Sequence, residues 1–205
     1  MSGQAPGKPP IDCYAAGDRG LMVRTQKIRR RMLAPLLGLM VRCHISANIL
    51  TLGSVAFGLA FCGVYFFCRP VALVLLALHV CLDGLDGPLA RYAQTASRKG
   101  SFADTMADQV VVAASTITLI ADGVVSVVPG GIYIFAYTVV IGFSMVRNAL
   151  RIPYAWLVRP RFFTYAWFVV ELYLLPGSID YVLWGLAGLL TVKMITGFVK
   201  IRRRI

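Results

Sequence analysis

The chain has 205 residues, 58% of them hydrophobic and only 15% charged, with a mean hydropathy of +0.72 and a formal net charge of +12. Soluble domains are about half apolar and roughly a quarter charged, so this composition excludes an ordinary water-soluble enzyme and points to an integral membrane protein. Nucleic-acid binding is also disfavoured: the basic residues gather at Arg24–Arg31, Arg98–Lys99, Arg147–Arg161 and Lys200–Arg204, each bordering an apolar span, with no base-stacking platform beside them.

Residues 1–20, "MSGQAPGKPPIDCYAAGDRG", are polar and rich in Gly and Pro, which predicts a flexible arm without a signal peptide. Residues 21–43 mix arginines with Leu and Met at helical spacing and predict an amphipathic interfacial helix. Residues 44–205 then read as one all-α membrane domain of six crossings. These are Ile45–Phe67, which serves as an uncleaved signal anchor, Val71–Arg91, Ser101–Val125, Ile132–Arg151, Pro160–Leu175 and Ile179–Val199. The five cysteines, at 13, 43, 62, 68 and 81, lack the paired spacing of a zinc site and read as small buried hydrophobes.

The loops after crossings two and four carry Arg98, Lys99, Arg151 and Arg159, and the amphipathic segment and C-terminal tail are basic too. The loops after crossings three and five hold no Lys or Arg, and the loop after crossing one holds only Arg69. This alternation predicts both termini in the cytoplasm, as in a bacterial inner-membrane protein. Asp122, Glu171 and Asp180 then fall near the outer side as rim residues.

Four of the nine acidic residues sit in one stretch, "DGLDGPLARYAQTASRKGSFADTMAD", at the predicted cytoplasmic ends of crossings two and three. Asp83 and Asp86 are three apart, and Asp104 and Asp108 four apart, so each pair shares a helix face. A short loop makes the two helices antiparallel neighbours, which lets the pairs face one cavity. Ionised carboxylates at a membrane need a partner, and the basic residues near in sequence are Arg91, Arg98 and Lys99. Converging carboxylates are hard oxygen ligands suited to Mg²⁺, Mn²⁺ or Ca²⁺. The small Gly84, Gly87 and Ala90 beside them fit either close helix packing or room for a ligand.

The pattern Asp83-x2-Asp86-Gly87-x2-Ala90-Arg91-x8-Gly100-x3-Asp104-x3-Asp108 resembles the signature of the CDP-alcohol phosphatidyltransferases at all eight specified positions. The resemblance implies transfer of a phosphatidyl group from CDP-diacylglycerol to an acceptor hydroxyl with release of CMP. It implies Mg²⁺ or Mn²⁺, two ions in all, on Asp83, Asp86 and Asp104, with Asp108 as the base and a possible further ligand. Gly87 and Arg91, with Asp83, would contact the CDP donor, as would Ser97; Asn48 and Thr51 in "SANILTLG" resemble a donor-side pair near the first crossing. A homodimer among membrane lipids is implied as well.

Of the basic residues from Arg147 to Arg161, Arg147 is the best candidate for an acceptor-phosphate clamp, with Arg151 beside it. The expected acceptor is a small phosphorylated polyol such as glycerol 3-phosphate; inositol phosphate or another alcohol is the alternative. A rival from another class is a cation or proton transporter using the aspartates, although no relay of acids leads to the other face. His44 reads as interfacial and His79 as helix packing.

Overall fold

The computed structural model describes residues 32–150 and 160–204, and within them the chain is helical with no strand. The seven helices are α1 (Met32–Arg42), α2 (Ala47–Tyr65), α3 (Arg69–Tyr92), α4 (Arg98–Ala121), α5 (Val127–Ala149), α6 (Pro160–Tyr173) and α7 (Ile179–Arg202). The predicted arm, the first part of the amphipathic segment, Arg151 and Arg159 lie outside the described residues.

Four helices are long and apolar enough to cross a membrane: α2, α3, the Val127–Arg147 part of α5, and α7. Two of the six predicted crossings do not qualify on those grounds. α4 is long enough, about 36 Å at the helical rise, but its first half carries Lys99, Asp104 and Asp108. The described part of α6 has 14 residues, about 21 Å.

Local chemistry explains the helix ends. α1 and α3 both stop in a Schellman arrangement whose left-handed residue is not glycine: His44 (φ 56°) and Gln94 (φ 57°). In the first, the Ile45 amide donates to the Met40 carbonyl at 2.9 Å, and in the second the Thr95 amide donates to the Ala90 carbonyl at 2.9 Å. Ser46 and Ser97 then cap α2 and α4, accepting from the amides of Ile49 and Gly100 at 3.3 and 3.0 Å. Pro88 lies inside α3, where it removes the amide that would bond the Gly84 carbonyl, yet the helix continues to Tyr92.

The main core joins Phe61, Tyr65, Leu76, Val111, Leu119, Tyr133, Phe168 and Leu183 from six helices. α2 and α4 meet closely because position 58 is glycine: a Cβ there would lie 2.5 Å from a Val111 methyl. A second, smaller cluster packs Leu37 of α1 on Leu50 of α2 and Leu89 of α3, seating α1 over the motif-bearing end of the bundle. The other side of α1 is also apolar, with Met32 and Leu39 exposed.

The far end is tied by three acids. Asp122 accepts from the Tyr65 hydroxyl at 3.0 Å and from Arg69 at 2.7 Å, linking α2, α3 and α4. Asp180 accepts from the Ser126 amide at 2.9 Å, joining the starts of α5 and α7. Glu171 is not a rim residue: it is buried, because it accepts from the amides of Gly177 and Ile179 at 2.5 and 2.7 Å and so holds the α6–α7 turn. The cysteine expectation also fails in part, since Cys43, Cys68 and Cys81 are exposed and Cys62 is only partly covered. On a bundle with so much outward apolar surface, an exposed thiol can face lipid as well as water.

Candidate functional site

Asp83 and Asp86 lie on the buried face of α3, at 7% and 5% exposure, and Asp104 and Asp108 are partly covered on α4. The five-residue connection from Ala93 to Ser97 folds α4 back beside α3, and the Gly58–Val111 contact holds α4 against α2. As a result, carboxylate oxygens of Asp83, Asp104 and Asp108 all lie within 4.8 Å of one another. Oxygens bound to one Mg²⁺, Mn²⁺ or Ca²⁺ at about 2.0–2.6 Å stand at most roughly 4–5 Å apart across the ion, so this separation fits a hard divalent cation.

Asp86 lies against Asp104 and also reaches α2. Its Oδ2 accepts the Thr51 hydroxyl at 2.8 Å, which puts the start of α2 at the same end as the motif. Thr51 thus comes to the cluster, whereas Asn48, one turn earlier, is exposed. Gly87 sits under the Arg91 side chain: a Cβ at position 87 would be 3.5 Å from an Arg91 guanidinium nitrogen. The Arg91 guanidinium thus lies along the helix beside position 87, and Arg91 is exposed. Ser97 serves as the N-cap of α4, and Gly100 keeps that cap tight, since a Cβ would meet the Ser97 hydroxyl at 3.2 Å.

A cation that meets the carboxylates comes from far along the chain. Arg161, at 3% exposure in the first turn of α6, donates from Nη2 to Asp83 Oδ2 at 2.6 Å, and its Nη1 pairs with Asp108 Oδ2. Close in sequence the basic residues are Arg91, Arg98 and Lys99, and Arg161 stands apart from them in the chain. Arg161 is 78 residues from Asp83, and only the return of α6 to the motif end brings them together. The available signal was its place just after Pro160, at the start of an apolar helix, where a positive charge is either a topology signal or a site residue. Arg147 is likewise buried, at 6% exposure, in the last turn of α5. The Arg161 guanidinium offsets part of the charge that the aspartates bring to this end of the bundle, and their oxygens suit a hard divalent ion.

The family model described as CDP-alcohol phosphatidyltransferase matches residues 44–197. No curated protein sequence matches the chain. Among solved structures, the chain is similar to phosphatidylinositol phosphate synthase (PgsA1) of Mycobacterium tuberculosis with CDP-DAG bound. That match has 17% identity and a TM-score of 0.68, covering 83% of this chain and 94% of the other. The same enzyme in complex with manganese and citrate matches at 18% identity and a TM-score of 0.65, covering 82% and 87%. At these identities the likeness shows a shared fold.

Proposed function

This chain belongs to the CDP-alcohol phosphatidyltransferase family, and from that premise we propose that it transfers a phosphatidyl group from CDP-diacylglycerol to a small phosphorylated polyol such as glycerol 3-phosphate, releasing CMP. The observation that carries this reading is the convergence of Asp83, Asp104 and Asp108 within 4.8 Å, with Asp86 tied to Thr51 beside them. The bound CDP-DAG and manganese of the mycobacterial relative support the choice of donor and metal.

Asp83, Asp86 and Asp104 hold the divalent ions, with Asp108 sharing in that role. A bound divalent ion supplies charge neutralisation at the donor's pyrophosphate and assists departure of CMP. The remaining work belongs to side chains. Asp108 takes the proton of the acceptor hydroxyl as the new O–P bond forms; the P–O bond to CMP breaks, and CMP leaves with the bonding pair. Arg161, gripping Asp83 and Asp108 together, orients both carboxylates and limits their mutual repulsion. The Thr51 hydroxyl holds Asp86 in one rotamer. Asn48, Gly87, Arg91 and Ser97 line the donor side. Arg147 and Arg151 receive the acceptor's phosphate, and Arg147 is buried enough to bind it strongly.

The site opens at the cytoplasmic surface of a bundle in which α2 to α7 all cross the inner membrane and both termini face the cytoplasm. Residues 44–205 form the catalytic domain behind the 1–20 arm and the 21–43 interfacial segment, and two copies pair as a homodimer. The alternation of loops rich and poor in Lys and Arg supports this orientation.

The test is CMP release by purified protein with CDP-diacylglycerol, with and without Mg²⁺ or Mn²⁺, across a panel of acceptors. Metal-dependent release with glycerol 3-phosphate is the expected result. Release with inositol 1-phosphate alone keeps the reaction and replaces the acceptor. No release with any acceptor, together with ion flux in vesicles, gives the site to the transporter reading.

A further inference from the structure

On α3, His79, Asp83 and Asp86 follow one another at i, i+4 and i+7 along a single buried face. On α6, Arg161, Tyr165 and Phe168 do the same. The two faces meet in successive rungs. Arg161 bonds Asp83 at 2.6 Å, and one turn deeper the rings of Tyr165 and His79 meet edge to face with centroids 5.8 Å apart. His79 is only 1% exposed, and its Nδ1 lies 2.8 Å from Ser54 Oγ and 3.0 Å from the Ser54 carbonyl oxygen on α2. Nδ1 either donates to the carbonyl or accepts the Ser54 hydroxyl, according to the tautomer, and in both cases the ring is tied to α2. A buried histidine held in this way presents a fixed edge to the tyrosine.

We propose that His79, anchored on Ser54 and packed against Tyr165, is a positioning residue that sets the register of α6 on α3 and thereby stands Arg161 between Asp83 and Asp108. The physical scale makes the register matter. Sliding α6 by a single residue's rise, about 1.5 Å, would stretch a hydrogen bond of ordinary length out of range. The ring contact resists that slide where an aliphatic side chain would not, because its geometry is directional. The inference deepens the reading of the site given above, and its metal readout stands whether or not that reaction is correct.

The experiment uses the full chain in nanodiscs. Mn²⁺ binding is measured by the loss of the free-ion EPR signal, and kcat and KM for CDP-diacylglycerol are measured in parallel. His79→Leu and Tyr165→Leu, which remove one ring each, should each weaken Mn²⁺ binding by up to about tenfold, the low end of the scale for groups bonded to metal ligands, because the rings act through Arg161. Both should lower kcat with little change in donor KM. Tyr165→Phe, which keeps the ring, should bind Mn²⁺ like the unaltered protein. If His79→Leu does not fold, Tyr165→Leu carries the same comparison. Loss of thermal stability with Mn²⁺ affinity unchanged would reduce the rung to packing and overturn the proposal. Altered Mn²⁺ affinity in the variants, with no CMP release by the unaltered protein, would instead sink the assigned reaction and leave the role of His79 in place.

Discussion

Asp108 meets two demands at once: its Oδ2 is paired with Arg161, and its carboxylate belongs to the cluster with Asp83 and Asp104. Asp108→Asn keeps the shape and removes the base, so kcat should fall at least about 10²-fold, with donor binding, measured by titration of CDP-diacylglycerol, largely retained. Normal turnover by that variant would end the general-base assignment. Arg161→Ala leaves Asp83 and Asp108 crowded without their guanidinium. Breaking a buried ion pair costs about 3–5 kcal/mol, so the melting temperature should drop clearly, and because the two carboxylates lose the guanidinium that orients them, Mn²⁺ should raise it less than it raises that of the unaltered protein. An equal shift with and without Mn²⁺ would mean that the cation and the guanidinium do not act on the same carboxylates. The aspartates were legible because their spacing is local and rigid. Arg161 was not, because nothing within its own stretch distinguishes a site arginine from one that marks topology.

The helices contribute through their ends and points of close approach. A methyl group at position 58 would drive into Val111, so Gly58→Ala should cost about 1–3 kcal/mol and loosen Mn²⁺ binding by moving α4, which carries Asp104 and Asp108, away from α2. Adding Val111→Ala should recover most of the loss in a thermal-shift series; no recovery would place the strain elsewhere. Ser97 was expected to contact the donor and stands as the cap of α4. Ser97→Ala should therefore cost about 1 kcal/mol of stability, and a separate rise in donor KM, measured on the folded enzyme, would show whether the hydroxyl also meets CDP-diacylglycerol. The turns after α1 and α3 could not be read from composition, since His44 and Gln94 take the left-handed conformation that glycine usually supplies.

At the scale of the molecule, the contacts define two ends. Thr51–Asp86 and Arg161–Asp83 lie at one, and Tyr65–Asp122 and Ser126–Asp180 at the other. Between them the outward surfaces carry exposed Leu52, Ile117, Phe135, Trp184 and Ile195, as expected where the neighbour is lipid. Cys43 and Cys68 are both exposed, in the connections before and after α2, and so stand at opposite ends. In single-cysteine proteins within sealed right-side-out vesicles, a membrane-impermeant maleimide should label Cys68 directly and Cys43 only after permeabilisation. Labelling of both from one side would overturn the orientation assigned to the bundle.

Composition and periodicity alone determined a helical membrane protein, and fixed spacing determined the acidic motif, because both depend on residues at most a few helical turns apart. The count of spans was less secure. The charges that make α4 the motif helix are the same charges that lower its apolar character, so one helix served two purposes that pull its hydropathy in opposite directions. Tertiary structure alone decided what neutralises the carboxylates, what holds Asp86, and that Glu171 is an internal cap. Each of these is a pairing of side chains on different helices, set by how the helices pack, and local sequence spacing carries no record of it.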